Sequence, residues 1–317
     1  MTAPKTATAF APASIGNVGV GFDMLGLALS GVGDRVTATH TARKGVSIAR
    51  VLGLDGEVHP TLSTDAATNT ASIAVAALWQ AVGAPGGVEL VVRKGIPLQS
   101  GMGSSAASAV AATVAANALL DEPLDPPDLL NYALEGEAFA SGGRHADNVA
   151  PSLLGGLVLC PGFLLPGFVR LTTFADIASV VVHPHLQIDT ASSRRSLAGG
   201  YTMEQWLTQQ GFLAAFVAAC EQQDLSLLRK SLRDVVIEPQ RAPGIACFAA
   251  AKEAALKADA FGCSLSGSGP SIFAMCDKNR ASRVATAMEQ ACRTHGIECE
   301  SWISPMDSPG ARLEETN

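Results

Sequence analysis

A glycine- and serine-rich segment at residues 97–107 limits what this chain can fold into more than any other stretch. Its sequence, Pro-Leu-Gln-Ser-Gly-Met-Gly-Ser-Ser-Ala-Ala, joins a predicted strand over 88–94 to a predicted alanine-rich helix over 104–120. Glycine lets the backbone bend closely around a ligand. The first N–H groups of a helix lack intrahelical partners, and the helix dipole adds positive charge there. The segment therefore predicts either a phosphate site or an ordinary glycine turn with serine caps.

Two further glycine-rich segments carry polar side chains. Residues 11–23 place Asn17 and Asp23 on either side of a turn, a pattern that by itself favours an Asx turn and a helix cap. Residues 262–271 lie between two strand-like runs and could form a hairpin turn. The segment 97–107 has neither the Walker lysine nor the dinucleotide-binding glycine spacing. Two glycine- and serine-rich loops, one of which opens a helix, nevertheless favour phosphate chemistry.

Several charged residues are candidates for a functional site. Glu137 ends a predicted helix eight residues before His145. His145 and Asp147 have the spacing of a metal pair, but no third ligand follows at a recognisable spacing, and a helix-start cap explains the pattern equally well. Arg194 and Arg241 lie in apolar surroundings. The ordinary uses of arginine are exposure to solvent and pairing with carboxylates.

Composition narrows the class of protein. With 317 residues, 48% of them hydrophobic, the chain is expected to form two domains. The net charge of −7 argues against broad binding to nucleic acid or a membrane surface. No apolar run reaches the roughly 20 residues of a membrane span, and no signal peptide is expected at the start. Seven cysteines without a Cys-x-x-Cys pair are typical of reduced thiols in the cytoplasm.

The predicted elements favour an α+β fold over a doubly wound sheet, because strands and helices mix without strict alternation. Strands are predicted over 10–20, 35–40, 88–93, 179–183, 263–265 and 272–276. Helices are predicted over 69–81, 104–120, 126–139, 202–220, 245–258 and 281–295. The proline- and glycine-rich stretch 160–168 predicts a domain boundary, which divides the chain into residues 1–164 and 165–317.

Taken together, these segments resemble the GHMP kinases, which transfer a phosphoryl group from ATP to small alcohols. The three superfamily motifs match residues 11–23, 97–107 and 264–271, in the expected order. Four more segments resemble the branch of the family that acts on L-homoserine; they are residues 143–151, 190–194, 237–241 and 307–312. The similarity extends from Ala9 to Arg312.

The resemblance implies a two-domain fold with a cleft between the domains. The N-terminal domain is expected to resemble domain 2 of ribosomal protein S5, and the C-terminal domain to be ferredoxin-like. ATP is expected to place its phosphates on the 97–107 segment, and Mg²⁺ to be held by Glu137 with Ser105 or Ser104. The residues implied for ATP are Asn69, Pro97, Leu98, Gln99, Ser100, Gly101, Met102, Gly103, Ser104, Ser105, Ala106 and Ala107.

The implied acceptor is the side-chain hydroxyl of L-homoserine, and the product feeds threonine biosynthesis. Arg194 and Arg241 suit the carboxylate, because guanidinium binds it in a fork, and Asp23 suits the ammonium. Asn17 and Asn148 suit the hydroxyl. The residues implied for catalysis are Asn17, Glu137, Asn148 and Arg194, and those for substrate are Asn17, Asp23, His145, Asn148, Arg194, Arg241, Gly267 and Gly269.

No aspartate or lysine stands out as a base for the hydroxyl. Phosphoryl transfer depends mainly on positioning and charge neutralisation, so the sequence predicts catalysis without a dedicated side-chain base. A homodimer is a further expectation of the resemblance.

Two rival functions remain open to the sequence. Another GHMP kinase could act on mevalonate or a sugar, but the pair Arg194 and Arg241 with the segment 145–148 argues against it. A non-catalytic ATP-binding protein could share the fold. It would be expected to lose metal or clamp residues, whereas Glu137 and both arginines are present.

Overall fold

The structure is a computed structural model, and it describes residues 5–197 and 199–316. The strands within these residues are β1 (Thr6–Gly16), β2 (Leu25–Thr41), β3 (Gly45–Leu52), β4 (Gly87–Arg93), β5 (Leu157–Leu159), β6 (Val169–Leu171), β7 (Ile177–Pro184), β8 (Gly262–Leu265), β9 (Ile272–Asp277), β10 (Cys299–Pro305) and β11 (Arg312–Thr316). The helices are α1 (Thr70–Val82), α2 (Ser104–Asn117), α3 (Leu130–Ser141), α4 (Val149–Leu154), α5 (Thr190–Arg195), α6 (Met203–Gln222), α7 (Leu225–Ser231), α8 (Glu238–Arg241), α9 (Phe248–Lys257) and α10 (Ala281–Thr294).

The first sheet has the strand order β11-β1-β2-β4-β3, with β5 paired to β2 and β6 paired to β5. Strands β3 and β4 run parallel, and the other pairs are antiparallel. The long strand β2 serves two partners in turn, because its first residues pair with β5 and its last residues pair with β4. Strand β1 follows β2 along both halves, with a register shift between Pro12 and Ser14.

Helix α2 lies at the centre of the core on this sheet. Its sequence is dominated by alanine, and the side chains from Ala106 to Ala112 are all buried. Small side chains allow neighbouring elements to approach closely. Gly136 does the same for α3, because a Cβ at that position would lie 2.3 Å from Thr70 O at the start of α1. The starts of α1 and α2 and the middle of α3 therefore meet at one point.

The second sheet has the order β10-β7-β9-β8, and all its neighbouring strands are antiparallel. Helices α9 and α10 cover it, and Phe248, Val284 and Met288 join the strand residues in a second core. The mixture of helices and two sheets confirms the predicted α+β class. Among the residues that the structure describes, no helix combines the length and apolarity needed to cross a membrane.

The structure corrects one strand and trims several helices. The strand predicted over 10–20 is wrong beyond Gly16, because Asn17 and Val18 adopt positive φ of 67° and 47° and the chain turns. The helix predicted from 245 begins at Phe248, after a 3-10 turn at Ala242–Gly244. Strands β3, β5, β6, β10 and β11 and helices α4, α5, α7 and α8 were not predicted. The division at 164/165 stays a prediction; β6 and β11 follow it in sequence and pair with the first sheet.

Candidate active site

A cavity of about 570 Å³ lies where the starts of α1 and α2 meet the loop after β8. It brings together residues from segments far apart in sequence, as the sequence analysis predicted for the nucleotide. Of the predicted site residues, those that line it are Asn69, Leu98, Gln99, Ser100, Gly101, Gly103, Ser104, Ser105, Glu137, Asn148 and Gly267. Other lining residues include His59, Ser63, Thr68, Lys94, Ser108, Gln187, Asp189 and Ser268.

Four of the residues predicted for the nucleotide have structural roles at the site. The side chains of Met102, Ala106 and Ala107 are fully buried in the core, so only their backbone can serve a ligand. Asn69 caps α1, because its Oδ1 accepts from Ala71 N at 3.0 Å and its Nδ2 donates to Ser63 O at 2.9 Å. Asn69 therefore joins α1 to the 63–68 loop at the cavity wall.

The segment 99–102, which we call the phosphate loop, has its carbonyl groups tied to the protein. In a trans peptide the N–H of the next residue points opposite to the carbonyl. The N–H groups that follow these carbonyls are therefore turned away from the ties. Met102 N donates to Ser100 Oγ at 3.3 Å, and residues 100, 101, 103, 104 and 105 line the cavity. The four ties are Ile188 N to Gln99 O at 3.1 Å, Ser271 N to Ser100 O at 3.1 Å, Ser266 Oγ to Gly101 O at 2.7 Å and Ser14 N to Met102 O at 3.1 Å.

Two glycines, Gly101 in this loop and Gly103 directly after it, are required by space and by conformation. Gly101 has a φ of +76°, and a Cβ there would lie 2.4 Å from Ser266 O. Gly103 has a φ of +69°, and a Cβ there would lie 2.5 Å from Ser14 Oγ. Both values lie in the left-handed region that favours glycine. The first N–H groups of α2 follow directly, and such a helix start binds anions.

A buried lysine supports the start of α2, and sequence reasoning missed it. Lys94 pairs with Asp34 and also donates to Ser104 O at 2.9 Å and to Ser108 Oγ at 2.7 Å. Asp34 in turn accepts from the backbone N–H groups of Gly95 and Ile96. The available signal was a lysine between an apolar strand and a glycine-rich loop. Its partner, Asp34, lies on another strand, and nothing in the sequence links the two.

Glu137 is the carboxylate best placed for a cation. It lies on α3, is 8% exposed, and its Oε2 has no hydrogen-bond partner among the described residues. Burial raises the pKa of Glu137 to about 7, while a hydrogen bond from Ser105 acts in the opposite direction. A buried oxygen without a hydrogen-bond partner costs free energy, and coordination of a cation would remove that cost. No group of three or more His, Cys, Asp or Glu side chains in the described chain could hold a metal alone, so a cation here would need oxygens from a nucleotide or water.

A second cluster adjoins the cavity and consists of charged side chains. Arg194 makes a bidentate ion pair with Asp23, at 2.7 and 2.8 Å. His145 Nδ1 lies 3.5 Å from the same carboxylate. Burial lowers the pKa of the half-buried His145; Asp23 opposes this shift and Arg194 adds to it. Asp23 was considered as a helix cap, but the chain enters strand β2 at Leu25.

Arg241 completes this cluster from α8. It is 8% exposed and donates from Nη1 to Gly267 O at 2.9 Å, while its Nε has no partner among the described residues. The Cζ atoms of Arg194 and Arg241 lie 5.4 and 5.2 Å from the ring centre of Phe22, so both guanidinium groups make cation–π contacts with this ring. Burial and the neighbouring Arg194 lower the pKa of Arg241. Because two positively charged guanidinium groups lie close together, the cluster favours binding of an anion.

The two asparagines predicted for the acceptor hydroxyl differ in position. Asn17 uses both ends of its amide inside the protein, because its Nδ2 donates to Gly267 O at 3.0 Å and its Oδ1 accepts from Asp23 N at 2.9 Å. Asn148 lines the cavity, and its Oδ1 accepts from Ser14 Oγ at 2.9 Å. Asn148 also precedes α4, but its side chain makes no cap bond there.

Asp147, which the sequence offered only as a metal partner of His145 or a helix-start cap, is a buried carboxyl beside these groups. Burial and the nearby Asp23 raise its pKa to about 7. The backbone of Gly16 packs against it, because a Cβ at that glycine would lie 2.7 Å from Asp147 Oδ2. Gly269 packs its carbonyl against the phosphate loop at Gly101, and its predicted contact with substrate stays a prediction.

Two family models match this chain, and both describe one class of protein. Residues 69–156 match the family described as GHMP kinases N terminal domain, and residues 216–294 match GHMP kinases C terminal. The chain therefore belongs to the GHMP kinases, which confirms the predicted family and two-domain fold.

Its relatives within that family are homoserine kinases. The chain is 47% identical over 315 residues to a homoserine kinase of Xylella fastidiosa (strain M12), which covers 98% of this chain and 96% of the relative. It is 46% identical over 310 residues to a homoserine kinase of Xanthomonas campestris pv. campestris (strain B100), with 98% and 94% covered. A crystal structure of homoserine kinase from Cytophaga hutchinsonii superimposes with a TM-score of 0.92 at 38% identity, covering 98% and 97%. The chain is a member of the homoserine kinase family.

Proposed function

We propose that this protein transfers the γ-phosphoryl group of ATP to the side-chain hydroxyl of L-homoserine, a step of threonine biosynthesis. The observation that carries the proposal is the junction at Gly267. Its backbone closes the phosphate end of the cavity, and its carbonyl accepts hydrogen bonds from Asn17 and Arg241 of the charged cluster. A phosphate site and a site for a charged amino acid are therefore neighbours.

The nucleotide is proposed to lie along the cavity with its phosphates on the phosphate loop and the start of α2. Glycine N–H groups and the helix dipole favour polyphosphate in this position. Asn69, with His59 and Ser63 from the preceding loop, lines the region left for the nucleoside. This arrangement supports ATP binding by an acidic protein, since the attraction is local and made largely by the backbone.

Glu137 and Ser105 are the residues proposed to hold Mg²⁺. The partnerless Oε2 of Glu137 and the hard oxygen donors fit this cation. When bound, Mg²⁺ supplies positive charge at the transferring phosphate. Ser105 also belongs to the first turn of α2, so the metal site and the phosphate site share one element.

The charged cluster is proposed to bind the zwitterionic acceptor. Asp23 and Arg194 pair with each other through two hydrogen bonds. An amino acid carries one ammonium and one carboxylate, so it can replace this ion pair with two new ones at no change in net charge. Arg241, which has an unused Nε, is a second donor for the carboxylate.

The hydroxyl is proposed to meet the phosphate near Asn148, without a side-chain base. His145 is held close to Asp23 and its pKa is lowered, so it is neutral at pH 7. The side-chain amide of Asn148 does not act as an acid or a base, but it can orient a hydroxyl by hydrogen bonding. Positioning and charge neutralisation are then the contributions of the protein.

An ATP-coupled assay of the purified protein against L-homoserine, L-serine, L-threonine, mevalonate and galactose tests the proposal. Turnover should require both L-homoserine and Mg²⁺. Equal or greater turnover with mevalonate or galactose would instead indicate another GHMP kinase activity, and nucleotide binding without turnover of any acceptor would indicate a non-catalytic protein. A homodimeric, cytoplasmic enzyme without nucleic-acid or membrane partners remains part of the proposal.

A further inference from the structure

Two adjacent residues of the loop after β8, Ser266 and Gly267, contact both ends of the site. Ser266 Oγ donates to Gly101 O of the phosphate loop at 2.7 Å. The carbonyl of Gly267 accepts from Asn17 Nδ2 at 3.0 Å and from Arg241 Nη1 at 2.9 Å. The contact to the nucleotide end, made by Ser266, and the contact to the amino-acid end, made by Gly267, therefore belong to adjacent residues.

This connection has little freedom to deform. Ser266 is fully buried, and a Cβ at Gly267 would lie only 3.1 Å from Gly101 O. The N–H of Gly267 donates to Gly16 O at 3.0 Å, and the N–H of Gly269 donates to Ser266 O at 2.8 Å. Packed interiors transmit displacements because they have few voids in which to absorb them. A shift of Gly267 must therefore move Ser266 and, through it, Gly101.

Arg241 is the group through which the acceptor would act on this loop. Its Nη1 bonds to Gly267 O, while its Nε lacks a partner among the described residues. A ligand carboxylate paired with this guanidinium fixes its position, and the arginine then holds Gly267 in one place. Conversely, phosphates ordered on the phosphate loop fix Gly101 and hence Ser266.

We propose that Ser266 is a positioning residue that couples the two sites, so that nucleotide and acceptor each raise the affinity of the protein for the other. The inference rests on the proposed function, since it takes L-homoserine as the amino-acid ligand. Coupling of binding free energies is reciprocal by thermodynamic necessity, so both affinities change by the same factor.

Isothermal titration calorimetry with a non-hydrolysable ATP analogue and Mg²⁺ tests the coupling. In the wild type, saturating L-homoserine should tighten nucleotide binding by about 5- to 10-fold, within the usual range of coupling between sites. In Ser266→Ala this factor should fall to less than about 2, because the hydroxyl link to Gly101 is lost. The control is Ser179→Ala, which removes another buried hydroxyl, one that donates to Ser304 O at 3.3 Å, and should keep the wild-type factor.

The reciprocal titration of L-homoserine into wild-type protein, with and without nucleotide, needs no variant. Equal affinities in the two conditions would overturn the coupling even if Ser266→Ala did not fold. An undiminished factor in folded Ser266→Ala would overturn the role of Ser266. Failure of L-homoserine to bind the wild type under either condition would contradict the proposed function itself.

Discussion

The two ends of the site are built from different materials. The end proposed for the nucleotide, which we call the nucleotide end, is made of backbone, with Gly101 and Gly103 in conformations that other residues rarely adopt and with its carbonyls tied to neighbouring segments. The end proposed for the amino acid, which we call the amino-acid end, is made of charged side chains that pair with each other, as Asp23 does with Arg194. The difference teaches that the geometry of one end is set by the path of the chain, while that of the other is set by pairing between charged side chains.

The largest effect is expected from Gly101→Ala at the nucleotide end. The new Cβ would lie 2.4 Å from Ser266 O at a φ of +76°, so the phosphate loop must move. A misplacement of about 1 Å can cost on the order of 100-fold, and we expect at least that loss in kcat/KM for ATP. The control is Gly56→Ala, because Gly56 has a φ of +83° but nothing within 4 Å of the added Cβ. Comparable losses in both variants would show that general strain, and not the loop, is responsible.

Glu137→Gln should have the next largest effect, because it removes the carboxylate that is proposed to hold Mg²⁺ with Ser105. Loss of several kcal/mol of transition-state stabilisation corresponds to a fall in kcat of about 100-fold or more. Higher Mg²⁺ should restore part of the rate. The matched control is Glu135→Gln on the same helix, where the carboxylate is exposed and paired with Arg144. Near-wild-type kcat of Glu137→Gln at ordinary Mg²⁺ would exclude Glu137 as a metal ligand.

Arg241→Ala should damage the amino-acid end selectively. Breaking a buried charged pair costs roughly 2–5 kcal/mol, or about 30-fold or more in kcat/KM for L-homoserine. Nucleotide affinity measured without L-homoserine should change far less. Arg241→Lys should rescue poorly, because an ammonium does not reproduce the guanidinium fork.

The control for Arg241 is Arg229→Ala, because Arg229 also lies over an aromatic ring, 4.0 Å from the centre of Phe261. This variant should keep its acceptor kinetics. If Arg241→Ala weakened nucleotide binding and left KM for L-homoserine intact, Arg241 would belong to the phosphate end.

The smallest effect is expected from His145→Ala. Burial lowers the pKa of His145 below its usual value, so the imidazole is already neutral at pH 7 and gains a proton only in more acidic solution. A true general base contributes about 100- to 10,000-fold, and we expect a loss of less than about 10-fold here. The pH dependence of kcat/KM above about pH 7 should be the same in wild type and variant. A limb near neutral pH that disappears in His145→Ala would show that this histidine acts as a base.

The sequence predicts the nucleotide end better than the amino-acid end. Local patterns such as the glycines of residues 97–107 determine backbone geometry directly, and α1 and α2 form close to their predicted ranges. The pairing of Asp23 with Arg194 depends on contact between residues 171 positions apart, which no local pattern encodes. The family resemblance named both residues but gave no sign that they pair with each other.

The same limit explains the supporting residues that were missed. Lys94 and Asp34 each look like a strand-end charge in the sequence, and only the sheet brings them together. Asn17 was predicted to contact the acceptor hydroxyl, and that role stays a prediction; its described bonds are structural, because the turn after β1 needs its amide.

Strand β11 has a consequence for how the protein is made. It pairs with β1, so this edge of β1 stays without its partner until β11, about 300 residues later in the chain, has been synthesised. Until then, the ladder edge of β1 is open, and unpaired strand edges are templates for association between chains. Synthesis from the N-terminus therefore leaves this edge of β1 exposed and prone to association until β11 has been made. Shortening the chain before Arg312 would make this exposure permanent and should lower the soluble yield.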